Sequence, residues 1–229
     1  MRTKQSGFTL IEIAIVLVII GLLLGGVLKG QELITSARVR NLISQQDGVK
    51  AAYFGFLDRF RALPGDYTAA TTNIAGISTA VCTGNGDGDG RIETAGASTP
   101  NENVLAWEHL SKAGFINGSY TCAAAESNAT TPTNAFAVFL QLVWDNVFDP
   151  AAGTPRHNLK TGGQIPSDLL AEVDRKIDDG NAIGGIFRFS AYDGGAGAPV
   201  GSGTCYLAAA PNAWNATTPS ANCGGATLF

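Results

Sequence analysis

The sequence predicts an α+β fold in which a long N-terminal α-helix packs on a small antiparallel β-sheet domain. Three observations support this prediction. Residues 8–28 carry a single charge among 21 residues, and no proline follows them before Pro64. An apolar stripe at helical spacing comes next. Short segments of alternating or continuous apolar residues, bounded by glycine, then appear in the second half of the chain, as half-buried strands require.

The composition fits one globular domain and an anchor. The chain has 229 residues, of which only 15% are charged, against about 25% in ordinary globular proteins. The formal net charge is −4, and it becomes −6 if Arg2 and Lys4 are removed with a leader. Because no basic patch is present, no nucleic-acid partner is expected.

The apolar stretch 8–28 is long enough to cross a membrane. A helix rises about 1.5 Å per residue, so 21 residues match a bilayer core of about 30 Å. Arg2 and Lys4 precede it and favour a cytoplasmic location for this short end. The rest of the chain is therefore predicted to be exported.

The small residue Gly7 stands directly before the apolar stretch. A secretory signal peptide has the reverse order, with its small-residue cleavage site after the apolar stretch. This order predicts a trimmed leader and a retained helix. Residues 7–12, GFTLIE, resemble the processing site of type IV prepilins and of type II secretion pseudopilins. The resemblance implies cleavage between Gly7 and Phe8 by a prepilin peptidase and methylation of the new amine on Phe8. Residues 1–7 would then be the leader, and 8–28 the membrane-spanning and filament-core helix.

Glu12 is the one acid in this apolar stretch. An unpaired acid inside a membrane segment costs about 2.5–3.5 kcal/mol on insertion scales, so a compensating partner is expected. The family resemblance implies that the methylated amine of Phe8 in a neighbouring copy is this partner, which would guide assembly. The alternative is a carboxylate that reaches the lipid headgroups from the end of the helix.

The resemblance implies a pilin-like fold and a structural subunit of a type IV pilus or a type II secretion filament. Implied partners are other pilin subunits, the prepilin peptidase, an inner-membrane assembly platform and membrane lipid. The globular domain would lie in the periplasm, and the assembled filament in the periplasm or outside the cell. Alternatives are a minor tip subunit with an adhesive or binding surface, or a periplasmic enzyme anchored by one helix. No catalytic motif supports an enzyme, since His109 and His157 stand alone.

An amphipathic continuation of the helix is predicted over 29–62, and a globular domain over 63–229. Apolar residues recur at three- and four-residue steps, interrupted only by Gln46. They are Val39, Leu42, Val49, Tyr53, Phe56 and Phe60. Pro64 and Gly65 predict the end of the helix.

The remaining elements are read from periodicity and from their stop signals. Residues 68–79 are predicted to be a loop. Helices are predicted over 103–113 and 167–179, and strands over 135–144, 186–192 and 204–209.

Four cysteines in an exported domain predict two disulfides. Three connectivities are possible. The pairing Cys82–Cys122 and Cys205–Cys223 closes the shortest loops and is the predicted one. The second bridge resembles the C-terminal disulfide loop of pilins, which in that family faces outward and makes contacts.

Residues 85–93, NGDGDGRIE, resemble the first part of an EF-hand calcium loop. Oxygen ligands are predicted from the side chains of Asn85, Asp87, Asp89 and Glu93 and from the backbone carbonyl of Arg91. The twelfth position is Gly96 instead of a bidentate glutamate, so Glu93, Glu102 or backbone carbonyls would complete the shell. The alternative is a flexible acidic turn, because Asn-Gly and Asp-Gly pairs are common in turns.

Overall fold

The computed structural model describes residues 9–94, 101–148 and 153–229. Gly7, Phe8 and Gly96, which the sequence singles out, lie outside these ranges. The chain divides into two compact units, Met1–Arg38 and Val39–Phe229.

Helix α1 spans Leu10–Phe60 and confirms the long helix predicted near the N-terminus. In the second unit, one face of α1 between residues 39 and 60 is buried, and this face carries the predicted apolar stripe. The buried residues of α1 are Val39, Leu42, Gln46, Val49, Ala52, Tyr53 and Phe56. Gln46, the polar residue within the apolar stripe, is hydrogen-bonded: its Oε1 accepts a hydrogen bond of 2.9 Å from the hydroxyl of Thr227.

Three further helices lie in the second unit. The short helix α2, Ala70–Asn73, lies inside the segment that the sequence predicts to be a loop. Helix α3, Glu102–Lys112, and helix α4, Ser167–Ile177, agree with the predicted helices. Pro166 directly precedes α4 and has an extended backbone conformation. Proline has no backbone N–H, and none is needed at the start of a helix.

The sheet contains four antiparallel strands in the order β1-β2-β4-β3. The strands are β1 Gln141–Asp145, β2 Arg156–Lys160, β3 Phe187–Phe189 and β4 Gly225–Leu228. The last strand of the chain is thus an interior strand, paired with β2 on one side and β3 on the other. The predicted α+β class, a long helix on a small antiparallel sheet, is confirmed.

The strand predictions were partly wrong. Of the predicted strand 135–144, only residues 141–144 lie in β1. The Asn134 side chain accepts hydrogen bonds from the backbone amides of Phe136 and Val138 and holds a turn at the start of the segment. Ala137 in this turn has φ +59°. The predicted strand 186–192 shortens to β3. The predicted strand 204–209 is absent from the described structure, where Tyr206 forms only isolated bridges.

The helix face and the sheet enclose two clusters of apolar side chains. Val39 and Leu42 pack with residues of α4 and β3, including Leu169 and Phe187. Further along α1, a second cluster surrounds Phe56 and joins α1 to α3, β1 and β2. Its members include Tyr53, Phe56, Trp107, Leu110, Leu142 and Leu159. Helix α3 is therefore held against the core, and three of its polar side chains form hydrogen bonds with the segment that precedes it.

Candidate functional site

The first turn of α1 is closed by Thr9 and Glu12. Glu12 Oε2 accepts hydrogen bonds from the backbone N–H and from the hydroxyl of Thr9, both at 2.7 Å. The Glu12 amide donates in return to Thr9 Oγ1 at 3.3 Å. This reciprocal pair is a capping box, which satisfies free backbone groups at a helix start. The Thr-x-x-Glu spacing could have predicted it, and it gives Glu12 a local role in addition to the predicted assembly role.

The first part of α1 presents an apolar surface. Leu10 is 93% exposed and Leu22 is 73% exposed. By length and composition α1 contains a segment able to cross a membrane, with mean hydropathy 2.8 and no part of that segment buried within the chain. An exposed apolar surface of this extent is typical of segments that contact lipid or other apolar helices.

Helix α3 carries three buried polar residues that bind the preceding loop. Glu102 is 1% exposed, and Glu108 and His109 are fully buried. Glu108 accepts one hydrogen bond from the Ser78 amide at 2.7 Å and another from the Cys122 amide at 2.8 Å. The carboxylate therefore fixes the backbone on both sides of the disulfide between Cys82 and Cys122.

His109 connects two distant points of the same region. Its Nδ1 accepts a hydrogen bond from the Gly65 amide at 3.0 Å, so Nε2 carries the proton and donates to the Gly84 carbonyl at 3.0 Å. Burial lowers the pKa of His109 to about 4, which keeps the ring neutral. Because this histidine is isolated in the chain, no sequence pattern predicts that it organises the loop.

Two buried carboxylates form the floor beneath residues 85–93. Asp66 is 5% exposed, and its two oxygens accept hydrogen bonds from the amides of Gly88 at 2.6 Å and Gly90 at 3.0 Å. Glu102 accepts from the amides of Asp87 at 3.1 Å and Glu93 at 3.2 Å. Burial raises the pKa of Asp66 and raises that of Glu102 to about 7.

The loop brings three carboxylates together. One oxygen from each of Asp66, Asp87 and Asp89 lies within 4.8 Å of the others. Asp66 and Asp87 also line a cleft of about 460 Å³. The close approach requires glycine at position 86, because a Cβ there would lie 2.3 Å from the backbone of Asp66. Oxygen ligands in such a group suit a hard cation, so the group has the chemistry of a metal site.

The other predicted ligands have different surroundings. The side-chain oxygen of Asn85 accepts a hydrogen bond of 2.9 Å from the Thr71 amide. The Glu93 carboxylate lies 3.8 Å from the guanidinium of Arg91. Of the predicted set, the structure therefore brings together Asp87 and Asp89. It adds Asp66, which the sequence analysis did not consider.

The four cysteines form two disulfides, Cys82–Cys122 and Cys205–Cys223. The first bridge lies directly before residues 85–93, the acidic loop, and joins that loop to the segment after α3. The second closes the segment before β4, and both of its cysteines are fully buried. The loop closed by the first bridge contains α3, whereas the loop closed by the second contains no named helix or strand. The second bridge therefore restricts a region that the sheet does not hold.

Comparison with known proteins gives one match. Residues 2–28 match the prokaryotic N-terminal methylation motif. This motif is typical of type IV pilins and type II pseudopilins. No curated protein and no solved structure matches the chain.

Proposed function

We propose that this chain, which carries the N-terminal methylation motif typical of type IV pilins and type II pseudopilins, is a structural subunit of a type IV pilus or of a type II secretion filament. The motif over residues 2–28 is the observation that carries the proposal. The exposed apolar surface of α1 supports it, because that surface needs lipid before assembly and neighbouring helices afterwards.

Processing in this proposal takes place between Gly7 and Phe8 and requires a prepilin peptidase. The mature chain then stays in the inner membrane with its globular domain in the periplasm, until an inner-membrane assembly platform adds it to a filament of pilin subunits. The filament lies in the periplasm or outside the cell. The chain acts as a structural component in this scheme and not as an enzyme.

Glu12 contributes to assembly in this proposal through its charge. Its Oε2 closes the first helical turn through Thr9, as described above. A carboxylate that caps its own helix is fixed in position, and it is then available to attract the positive amine of Phe8 from an adjacent subunit. Capping and intersubunit pairing are compatible, because a carboxylate offers about four lone-pair positions.

Imaging filaments on cells tests the function. A short epitope inserted in the exposed stretch 207–211 would mark the globular domain. Labelling along whole filaments supports a major subunit, and labelling at filament ends supports a minor tip subunit with an adhesive role. The matched control is the same tagged chain with Gly7→Val, which blocks processing. Diffuse membrane labelling by the cleavable chain, identical to the control, would contradict the proposal and favour an anchored enzyme.

We further propose that Asp66, Asp87 and Asp89 bind calcium. The alternating spacing of 85–89 and the convergence of three carboxylates support this assignment. Calcium at ten times its dissociation constant would stabilise the domain by about 1.4 kcal/mol, or about 4 °C in melting temperature. The test compares melting of the full chain in detergent with calcium and with chelator. The variant carrying Asp87→Asn and Asp89→Asn should lose most of the calcium-dependent shift, and an unchanged shift would contradict the assignment.

A further inference from the structure

The chain contains two Asn-Gly pairs, Asn85-Gly86 and Asn117-Gly118. In such a pair the glycine nitrogen can attack the asparagine side chain, because glycine has no Cβ to block the approach and its backbone adopts many conformations. The reaction requires a glycine amide that is free of hydrogen bonds and an asparagine side chain that can turn towards it. The surroundings of the two pairs therefore decide which of them reacts.

The first pair is held in place within the acidic loop. The Gly86 amide donates a hydrogen bond of 3.1 Å to the Tyr67 carbonyl. The side-chain oxygen of Asn85 accepts a hydrogen bond of 2.9 Å from the Thr71 amide. Both residues of the pair are partly buried, and Gly86 packs against the backbone of Asp66. The nitrogen and the side chain that would react are thus both fixed by hydrogen bonds.

The second pair lies in the irregular segment that follows α3. Asn117 and Gly118 are both exposed. Within the described part of the chain, no residue accepts a hydrogen bond from the Gly118 amide, and none forms one with the Asn117 side chain. Gly118 has φ +104°, a backbone conformation that residues with a Cβ rarely adopt. The nitrogen and the side chain that would react are therefore free in this pair.

We propose that Asn117 is a site of spontaneous deamidation. In this reaction the Gly118 nitrogen gives its proton to water and forms a bond to Cγ of Asn117. The bond between Cγ and Nδ2 breaks, and ammonia leaves after it takes up a proton from water. A second water molecule then opens the cyclic imide at one of its two carbonyl carbons. The products are aspartate and isoaspartate, in which the main chain runs through Cβ and Cγ.

The modification changes both the charge and the geometry of this segment. It replaces a neutral amide by a carboxylate on the wall of a cleft of about 510 Å³, which Gln45 and Val49 of α1 also line. The ammonium group of Lys112 donates a hydrogen bond of 3.2 Å to the hydroxyl of Ser119, so a positive charge already lies at the segment. Isoaspartate also lengthens the main chain between α3 and Cys122. The reaction does not depend on the proposed filament role.

Peptide mapping of the full chain in detergent tests this site. Folded protein with intact disulfides is incubated at mildly alkaline pH, and the peptides that contain the two Asn-Gly pairs are followed over time by chromatography and mass spectrometry. Deamidation replaces –NH₂ by –OH, which changes the mass, and aspartate and isoaspartate peptides elute separately. We expect Asn117 to react at least about tenfold faster than Asn85, which corresponds to about 1.4 kcal/mol in activation free energy.

The unfolded chain is the matched control. In urea with the disulfides reduced, the hydrogen bonds that hold Asn85 and Gly86 are absent, so both pairs should react at similar rates. In the folded chain, Asn117→Gln should remove the product at this position, because glutamine would have to close a larger ring, and it should leave the rate at Asn85 unchanged. Circular dichroism establishes that this variant is folded.

Two results would overturn the proposal. In the first, Asn85 of the folded chain reacts as fast as Asn117 or faster, or neither residue reacts although both do so in urea. In the second, the preference for Asn117 stays the same after unfolding, which would show that the folded structure does not cause it.

Discussion

His109 should make this protein sensitive to acid. In the folded chain its ring is buried between Gly65 and Gly84, and burial lowers its pKa to about 4 from the usual 6.5. A histidine whose pKa is lowered by folding contributes full stability above pH 6.5, and that stability is lost as the pH falls towards 4. The reason is that, as the pH falls, His109 binds a proton in the unfolded chain at a higher pH than in the folded chain.

The size of the effect follows from these two pKa values. Between pH 7 and pH 4.5, the free energy of unfolding should fall by about 2 kcal/mol because of His109 alone. Other groups titrate in the same range, and Glu102 acts in the opposite direction because its pKa is raised. The prediction therefore concerns the difference between two chains, not the total change of either one.

His109→Gln isolates the contribution. Glutamine can accept from the Gly65 amide and donate to the Gly84 carbonyl, but it does not titrate. Urea unfolding of the full chain in detergent, followed by tryptophan fluorescence at pH 7 and pH 4.5, gives the free energies. We expect the variant to be less stable than the wild type at pH 7, and to lose about 2 kcal/mol less on acidification.

The control is Lys176→Gln, which changes an exposed charge on α4 and should leave the pH dependence as in the wild type. If His109→Gln and the wild type lose the same free energy between pH 7 and pH 4.5, His109 does not remain neutral in the folded chain. The tautomer and the two hydrogen bonds assigned to it would then be wrong.

Three other predictions concern processing, assembly and folding. Gly7→Val should leave the leader attached, whereas wild-type protein from its own host should begin at Phe8 by intact mass; residues 1–7 still present on the wild type would contradict this. Glu12→Gln keeps the capping oxygen and removes the charge, so membrane insertion should be unchanged and filament yield should fall; a normal yield would show that the charge is not needed. Replacing Cys205 and Cys223 by alanine, with a sequence separation of 18, should lower the free energy of unfolding by about 3 kcal/mol in denaturant titrations, and a loss below about 1 kcal/mol would rule out the chain-entropy account.

The helices could be predicted from the sequence because their signals are local. The stripe on α1 repeats every three or four residues, and α3 and α4 have stop signals near their last residues. The same locality explains the prediction of a membrane-spanning segment and of a processing motif. In each case the residues that determine the feature are near neighbours in the chain.

Strands β2 and β4 could not be predicted, because the residues that pair with them and bury them are distant in sequence. Strand β2 has a polar sequence, and its Lys160 can be buried because Asp145 and Gln141 of β1 accept hydrogen bonds from its ammonium group. Strand β4 has only four residues, and apolar and polar side chains do not alternate along it. It lies inside the sheet because β2 and β3 pair with its two edges.

The acidic loop shows the same division between local and tertiary information. Spacing alone predicted that Asp87 and Asp89 lie close together as possible oxygen ligands. Only the folded chain adds Asp66, because the turn between α1 and α2 that carries it meets the loop at Gly86. The buried anchors on α3 were also hidden. Glu108 and His109 read as ordinary polar residues of a short helix, and Glu102 was considered only as a possible calcium ligand, whereas in the structure it accepts backbone hydrogen bonds. The sequence by itself thus determined the anchor, its processing motif and the main helices, whereas contacts between residues far apart in the chain decided the sheet order and brought Asp66 to the acidic loop.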